Sequence, residues 1–310
     1  MLRALPLRGA LVLAAVAGAA TSLSAGSGDF SDCPNQPGAS TWVVPVRVLT
    51  PGLRVIEGLQ AGDFAVSVNQ VPQRLCGFTQ TRWPVSVGIL VDNSASMRAP
   101  FNGHVEEGAA TLKATVERLL SVSGPQDEYF LAYASDQAAV RVGFTHDVDR
   151  IRAGLTGPPR GRTALIDGIV LALNELRKAS HPTRSLVVLS DGNDNGSVYK
   201  LGELADAFLS APIPIFLLAP ADPWARKKEH PEDTARREAL IRLAGESGGY
   251  VVQATDRQLV AAAGDMASAI RLPYVLQFAG PLSLATKDRI VLKVEVRGVH
   301  PRPLVFFPGE

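Results

Sequence analysis

Residues 85–97 read VSVGILVDNSASM, a short apolar run that stops on Asp92-Asn93-Ser94-Ala95-Ser96. A strand this apolar is expected to be buried on both faces, as in the middle of a parallel sheet, which puts Asp92 at the strand's carboxyl edge. Open α/β sheets bind their ligands at that edge. Asp92, Ser94 and Ser96 alternate along the loop, so one carboxylate and two hydroxyls can turn toward a common point. Hard oxygen donors of low total charge suit Mg²⁺ or Mn²⁺, which keep several waters and take one or two carboxylates. Taken alone, the stretch also reads as a polar turn in which Ser94 or Ser96 caps the next helix.

Two later stretches decide between these readings. Residues 161–168, GRTALIDG, open a helical pattern running to about Lys178, with the Thr163 hydroxyl at the helix entrance. Residues 184–190, RSLVVLS, are a second buried-strand candidate, and they end on Asp191-Gly192. Three sheet-edge loops therefore offer Asp92, Ser94, Ser96, Thr163 and Asp191 in chain order. This ordered set resembles the metal-ion-dependent adhesion site of the von Willebrand factor type A domain, and the resemblance runs from about Trp83 to Arg271. It implies a Rossmann-like, doubly wound, mostly parallel sheet. It also implies Mg²⁺ or Mn²⁺ held by those five residues, and a protein partner that offers an acidic side chain to the metal.

Outward from this centre the patterns alternate between strand and helix, as a doubly wound α/β sheet requires. Helical spacing covers Val105 to Ser121, and a short helix covers Asp147 to Leu155. Glu128 to Ser135 and Ala138 to Phe144 read as an antiparallel edge pair joined at Asp136-Gln137. A helix over Lys200 to Leu209 and a buried strand over Pro212 to Ala219 follow. Asp222 to Thr234 reads as an exposed loop, followed by a helix over Thr234 to Ala244, a strand over Tyr250 to Ala254 and a helix over Asp256 to Arg271. Period-two runs flank this region on both sides, from Thr41 to Thr81 and from Pro273 to Pro308, and they are expected to pair with each other. Residues 58–73, GLQAGDFAVSVNQVPQ, resemble the small β segment preceding the A domain in a bacterial group of secreted, von Willebrand A-related proteins. The expected organisation is a signal peptide over 1–25, an amino-terminal β segment over 26–82, the A domain over 83–272 and a carboxy-terminal β segment over 273–310.

The leader is read from Arg3 and Arg8, a nearly unbroken apolar stretch from Gly9 to Ala20, and small residues over Thr21 to Gly26. That pattern is a secretory signal, too short in its apolar part to span a membrane. It places the mature protein in the periplasm, at the cell surface or outside the cell, with no membrane span after cleavage. In such a compartment the two cysteines, Cys33 and Cys76, are expected to form one disulfide. With 46% hydrophobic and 20% charged residues and a formal net charge of +1, the chain has the composition of a folded protein and no basic run suited to nucleic acid.

Three strings imitate other chemistry. Residues 245–249, GESGG, match the G-x-S-x-G of serine hydrolases, but a nucleophile elbow needs a strand before the serine and a helix after it. Here the order is reversed. Residues 191–196, DGNDNG, match half of an EF-hand loop, yet the bidentate glutamate of the twelfth position is replaced by Gly202. Asn193 to Asn195 are therefore read as a solvated rim. The five histidines are scattered without metal-ligand spacing, and His104 and His146 are placed near the sheet's carboxyl edge. The leading function is an exported, cation-dependent, adhesion-type protein-binding module without catalytic activity. The alternatives are a metal-assisted hydrolase using Asp167 or Asp194 as base, and a scaffold subunit of an envelope assembly.

Overall fold

The computed structural model describes residues 11–14, 39–50, 54–68, 71–80, 82–95, 97, 105–157, 161–209, 213–221, 231–271, 274–281, 290–294 and 304–306. The chain divides into two units, Pro84–Ile270 and a terminal unit made from Met1–Trp83 together with Arg271–Glu310.

The terminal unit holds β1 (Leu11–Ala14), β2 (Ala39–Leu49), β3 (Phe64–Val68), β4 (Val71–Gln73) and β5 (Leu75–Gln80) from the amino-terminal side. From the other side come β12 (Tyr274–Pro281), β13 (Ile290–Val294) and β14 (Leu304–Phe306). They form two four-stranded sheets, β1-β2-β12-β5 and β14-β13-β3-β4. The tail thus returns to pair antiparallel with the amino-terminal strands, as its period-two pattern predicts. Phe64, Phe78 and Tyr274 cluster with ring centroids 5.2 to 5.8 Å apart, Phe78 stacked on Tyr274 and Phe64 tilted against both. The Tyr274 hydroxyl is placed by donating to the Ile56 carbonyl at 2.8 Å and accepting from the Leu59 N–H at 3.1 Å. Pro72 stands on β4, the outermost strand of its sheet, where a missing backbone donor is tolerated.

One feature of this unit departs from the sequence reading. Residues 1–25 are expected to lie outside the fold, yet Leu11–Ala14 pairs with β2 in the register Leu11↔Leu49 to Ala14↔Val46. An open strand edge carries unused donors and acceptors, and an apolar run in the same chain can take them up. Cys76 lies on β5, and among the described residues no cysteine is a free thiol. Cys33 lies outside the described residues.

The second unit is built on a six-stranded sheet in the order β11-β10-β9-β6-β7-β8. Here β6 is Ser86–Asp92, β7 Glu128–Ala134, β8 Ala138–Thr145, β9 Arg184–Leu189, β10 Ile215–Pro220 and β11 Val251–Ala254. All neighbours are parallel except β7 and β8. Every residue of β6, β7 and β10 is buried, which is why these strands read as unbroken apolar runs rather than alternating ones. The helices are α1 (Val105–Leu120), α2 (Val148–Gly154), α3 (Leu165–Leu176), α4 (Leu201–Leu209), α5 (Pro231–Glu246) and α6 (Asp256–Arg271). On α3, Leu165, Ile169, Leu173 and Leu176 follow helical spacing and pack into one cluster with Leu90, Phe130, Leu186 and Val188 of the sheet. Gly88 admits this packing, because a Cβ there would lie 2.6 Å from the Phe130 ring. The chain leaves β6 toward β7 and returns on the other side as β9, so a topological switch point falls between β6 and β9.

Helix α5 opens at Pro231, three residues before the start expected at Thr234. Proline is suited to the first helical position, since its missing N–H is one that the first turn leaves unbonded. Arg236 also reaches back one turn to Asp233 at 3.1 Å. Residues 222–230 of the expected loop lie outside the described residues.

Candidate functional site

The parallel pairing of β6 and β9 sets Val91 opposite Leu189. The residues that follow, Asp92 and Ser190-Asp191, therefore emerge side by side at the switch point. Asp92 is expected at a strand end clear of the apolar core; in the structure it is fully buried, enclosed by the loops that leave the two strands. Its Oδ1 accepts the Ser94 N–H at 3.0 Å, and its Oδ2 accepts the Ser190 hydroxyl at 2.6 Å. The Ser190 oxygen in turn accepts the Gly192 N–H at 3.0 Å. Burial first, and the neighbouring Asp191 carboxylate second, push Asp92 up from 3.8 to about 7, against the pull of its bonds to Ser190 and Ser94. Asp191 accepts from Asn193 twice, from the N–H at 2.9 Å and from Nδ2 at 3.0 Å.

Thr163 is buried just ahead of α3. Its N–H donates to Asn195 Oδ1 at 2.9 Å, and its carbonyl accepts the N–H groups of Asn195 at 3.0 Å and Gly196 at 2.8 Å. The Ala95 N–H donates to the Gly161 carbonyl at 3.1 Å. The loops carrying Asp92 and Ser94, Thr163, and Asp191 are thus hydrogen-bonded to one another on one edge of the sheet. Ser96 lies outside the described residues.

The donor chemistry of this edge is hard oxygen. Two adjacent carboxylates, one of them fully buried and raised toward neutral pH first by that burial and then by the other's charge, are a place where a divalent cation relieves repulsion. Among the described residues no three or more His, Cys, Asp and Glu are grouped so that they could hold a metal ion by themselves. A cation here would therefore depend on hydroxyl oxygens and water beside the two carboxylates, a set that fits Mg²⁺ or Mn²⁺.

Asp194 corrects the expectation of a solvated rim. It is buried, and its Oδ1 accepts the N–H groups of Leu165 at 2.8 Å and Ile166 at 3.3 Å. It caps α3 from a distance, because the helix's own N-cap residue, Ala164, has no side-chain acceptor. Asp167 does the converse, with its carboxylate accepting the N–H groups of Val198 at 3.0 Å and Tyr199 at 2.9 Å. Both acids considered as bases are thereby occupied in holding backbone. The sequence signal for this, the Asp and Asn of DGNDNGS, is visible but points equally to a calcium loop.

The serine string behaves as its position predicts. Ser247 follows α5, is buried, accepts the Ile215 N–H at 2.8 Å and donates to the Ala244 carbonyl at 2.7 Å. His146, by contrast, is not at the carboxyl edge. Its Nδ1 sits 3.0 Å from the Asp127 carbonyl, just before β7 begins. Because β8 runs antiparallel, its end returns to the amino edge and carries His146 there. His104 lies outside the described residues.

Residues 87–193 match the family profile of the von Willebrand factor type A domain. Over these residues, about a third of the chain, the sequence is similar to that domain. The match runs from β6 through the loop after β9, and the six-stranded, mostly parallel sheet is the fold of this family. Among solved structures, the chain is similar to BatB, a conserved hypothetical protein from Bacteroides thetaiotaomicron. The two share 18% identity over 60% of this chain and 98% of that one, with a TM-score of 0.45. It is also similar to a von Willebrand factor type A protein from Catenulispora acidiphila, at 13% identity over 86% and 67% of the two chains and a TM-score of 0.47. A third is proximal thread matrix protein 1 from the mussel byssus, described with a zinc-occupied MIDAS motif. It matches at 14% identity over 67% and 50% of the two chains with a TM-score of 0.49. No curated protein matches the sequence.

Proposed function

We propose that this A domain binds a protein partner through a divalent cation, Mg²⁺ or Mn²⁺, held by Asp92, Ser94, Ser96, Thr163 and Asp191. The domain family mediates protein–protein interaction. The observation that carries the cation is the fully buried Asp92 carboxylate beside Asp191 at the switch point. Ser94, Ser96 and Thr163 would coordinate directly, and the two carboxylates directly or through water. Charge balance then favours an incoming acid: if the protein's own ligands are mostly hydroxyls, the cation keeps positive charge that a partner's carboxylate can neutralise. Binding rather than catalysis is favoured by the occupied state of Asp167, Asp194 and Ser247, each of which is engaged in holding backbone.

The leader pattern over residues 1–25 supports export, and export supports a disulfide between Cys33 and Cys76. Among the described residues no helix is long and apolar enough to cross a membrane.

Calorimetric titration of the folded protein with Mg²⁺ and Mn²⁺ tests the site. Asp92→Ala is expected to cost at least the 10 to 100-fold typical of a lost ligand-shell group. Equal affinities in wild type and Asp92→Ala would overturn the proposal. Capture of a partner from the exporting cell should then depend on Mg²⁺ and fail in EDTA.

A further inference from the structure

The string Asp194-Asn195-Gly196-Ser197 lies beside the proposed cation site without belonging to its ligand set. We infer that Asn195 is a positioning residue that holds Thr163 in place for the cation, an inference that rests on the cation reading above.

Asn195 meets Thr163 in both directions. Its side-chain oxygen accepts the Thr163 N–H at 2.9 Å, while its own N–H donates to the Thr163 carbonyl at 3.0 Å. Gly196 adds a second donor to that carbonyl at 2.8 Å. The approach favours a glycine, since a Cβ at 196 would lie 3.1 Å from the Thr163 oxygen, tighter than an ordinary contact. The backbone on either side of the Thr163 hydroxyl is therefore fixed by one neighbouring segment, and that segment begins at Asp191, another proposed ligand.

The segment is itself fastened at both ends. Before Asn195, Asp194 holds the first N–H groups of α3 and accepts the Ser197 hydroxyl. After it, Asp167 takes the N–H groups of Val198 and Tyr199. The Asp194 carbonyl accepts from Arg236 at 2.6 Å, and the Asn195 carbonyl accepts from Arg162. With its flanks tied down, the Asn195 amide reaches Thr163 without a search over conformers. That preorganisation makes a positional role effective, because a ligand group displaced by a fraction of an ångström loses affinity.

A double-mutant cycle on the full chain tests this, with Mn²⁺ as the probe and electron paramagnetic resonance of the free ion as the readout. Asn195→Ala is expected to weaken Mn²⁺ binding about 10-fold in the wild-type background. In the Thr163→Ala background the same substitution is expected to cost less than about 2-fold, since its effect passes through the Thr163 hydroxyl. Asn195→Asp, which keeps the acceptor oxygen, should recover most of the affinity. If Asn195→Ala lacks a native circular-dichroism spectrum, Asn195→Gln, whose amide is displaced by one methylene, takes its place in the cycle with the same expectation. An Asn195 variant that binds Mn²⁺ like wild type, or that loses affinity equally in both backgrounds, overturns the positioning role. A wild-type chain that takes up no Mn²⁺ overturns the cation site, and this inference with it.

Discussion

Replacing Asp92 by Asn should stabilise the metal-free protein while abolishing cation binding, and the size of the gain should depend on pH. Burial and the Asp191 carboxylate hold Asp92 at about 7 against an ordinary 3.8, a gap worth about 4 kcal/mol. A carboxyl raised in the folded state acts with the opposite sign to a salt-bridged one. Below about pH 4 both states carry the proton and nothing is lost. Between about pH 4 and 7 the unfolded chain releases its proton while the folded chain retains it, so stability falls as pH rises and levels off above about 7. Asn cannot ionise and keeps an oxygen for the Ser94 N–H, although it gives up acceptance of the Ser190 hydroxyl at 2.6 Å, a loss of about 1 kcal/mol. The variant should therefore gain about 3 kcal/mol on wild type at pH 8 and lose about 1 kcal/mol at pH 4. Urea unfolding in EDTA at pH 4, 5, 6, 7 and 8, taken as roughly spaced points across that window, reads the difference directly. Saturating Mg²⁺ should reverse the order at pH 8, because cation at about 1,000 times its dissociation constant adds about 4.1 kcal/mol to wild type alone. A stability difference that does not change with pH would refute the reasoning, since the burial of the Asp92 charge would then carry no cost.

Other expectations follow from single contacts. Mass spectrometry of the non-reduced exported protein should show the peptides containing Cys33 and Cys76 linked, and two alkylatable thiols would exclude the bond. A fluorophosphonate probe should leave Ser247 unlabelled. Ser247→Ala should instead lower stability by about 1 to 3 kcal/mol, since the Ile215 N–H loses its buried acceptor; chemical denaturation measures this. Asp194→Ala removes the cap of α3 and should cost about 1 to 2 kcal/mol in the same assay. An unchanged midpoint would mean that the α3 N–H groups find water instead.

The central sheet was legible because its inner parallel strands are buried on both faces and so announce themselves as apolar runs ending in polar loop residues. β6, β7 and β10 carry that signal, and the antiparallel β7–β8 pair shows itself through its two-residue turn. What was not legible depends on contacts across the sheet. That Asp92 is enclosed, rather than perched at a strand end, follows from loops 98 residues apart closing over it. That Asp194 caps a helix beginning 29 positions earlier leaves no local pattern, and the same string read locally imitates a calcium loop. His146 could have been placed from the same turn, since an antiparallel β8 returns its end to the amino edge of the sheet. The pairing of Leu11–Ala14 with β2 was invisible for a different reason, since an apolar leader carries the same signal whether it is exported, buried or paired.

The bond between Asp92 and Ser190, with its 98-residue separation, also bears on how the protein folds. Closing so long a loop comes late in any pathway that first forms local structure. No fragment ending before β9 contains both halves of the edge, so a cation held there would recognise the finished sheet and little that precedes it. Its presence should then slow unfolding while leaving the rate of folding nearly unchanged, as for any interaction made after the transition state. A cation of that kind acts as a latch on the completed molecule rather than as a template for its assembly.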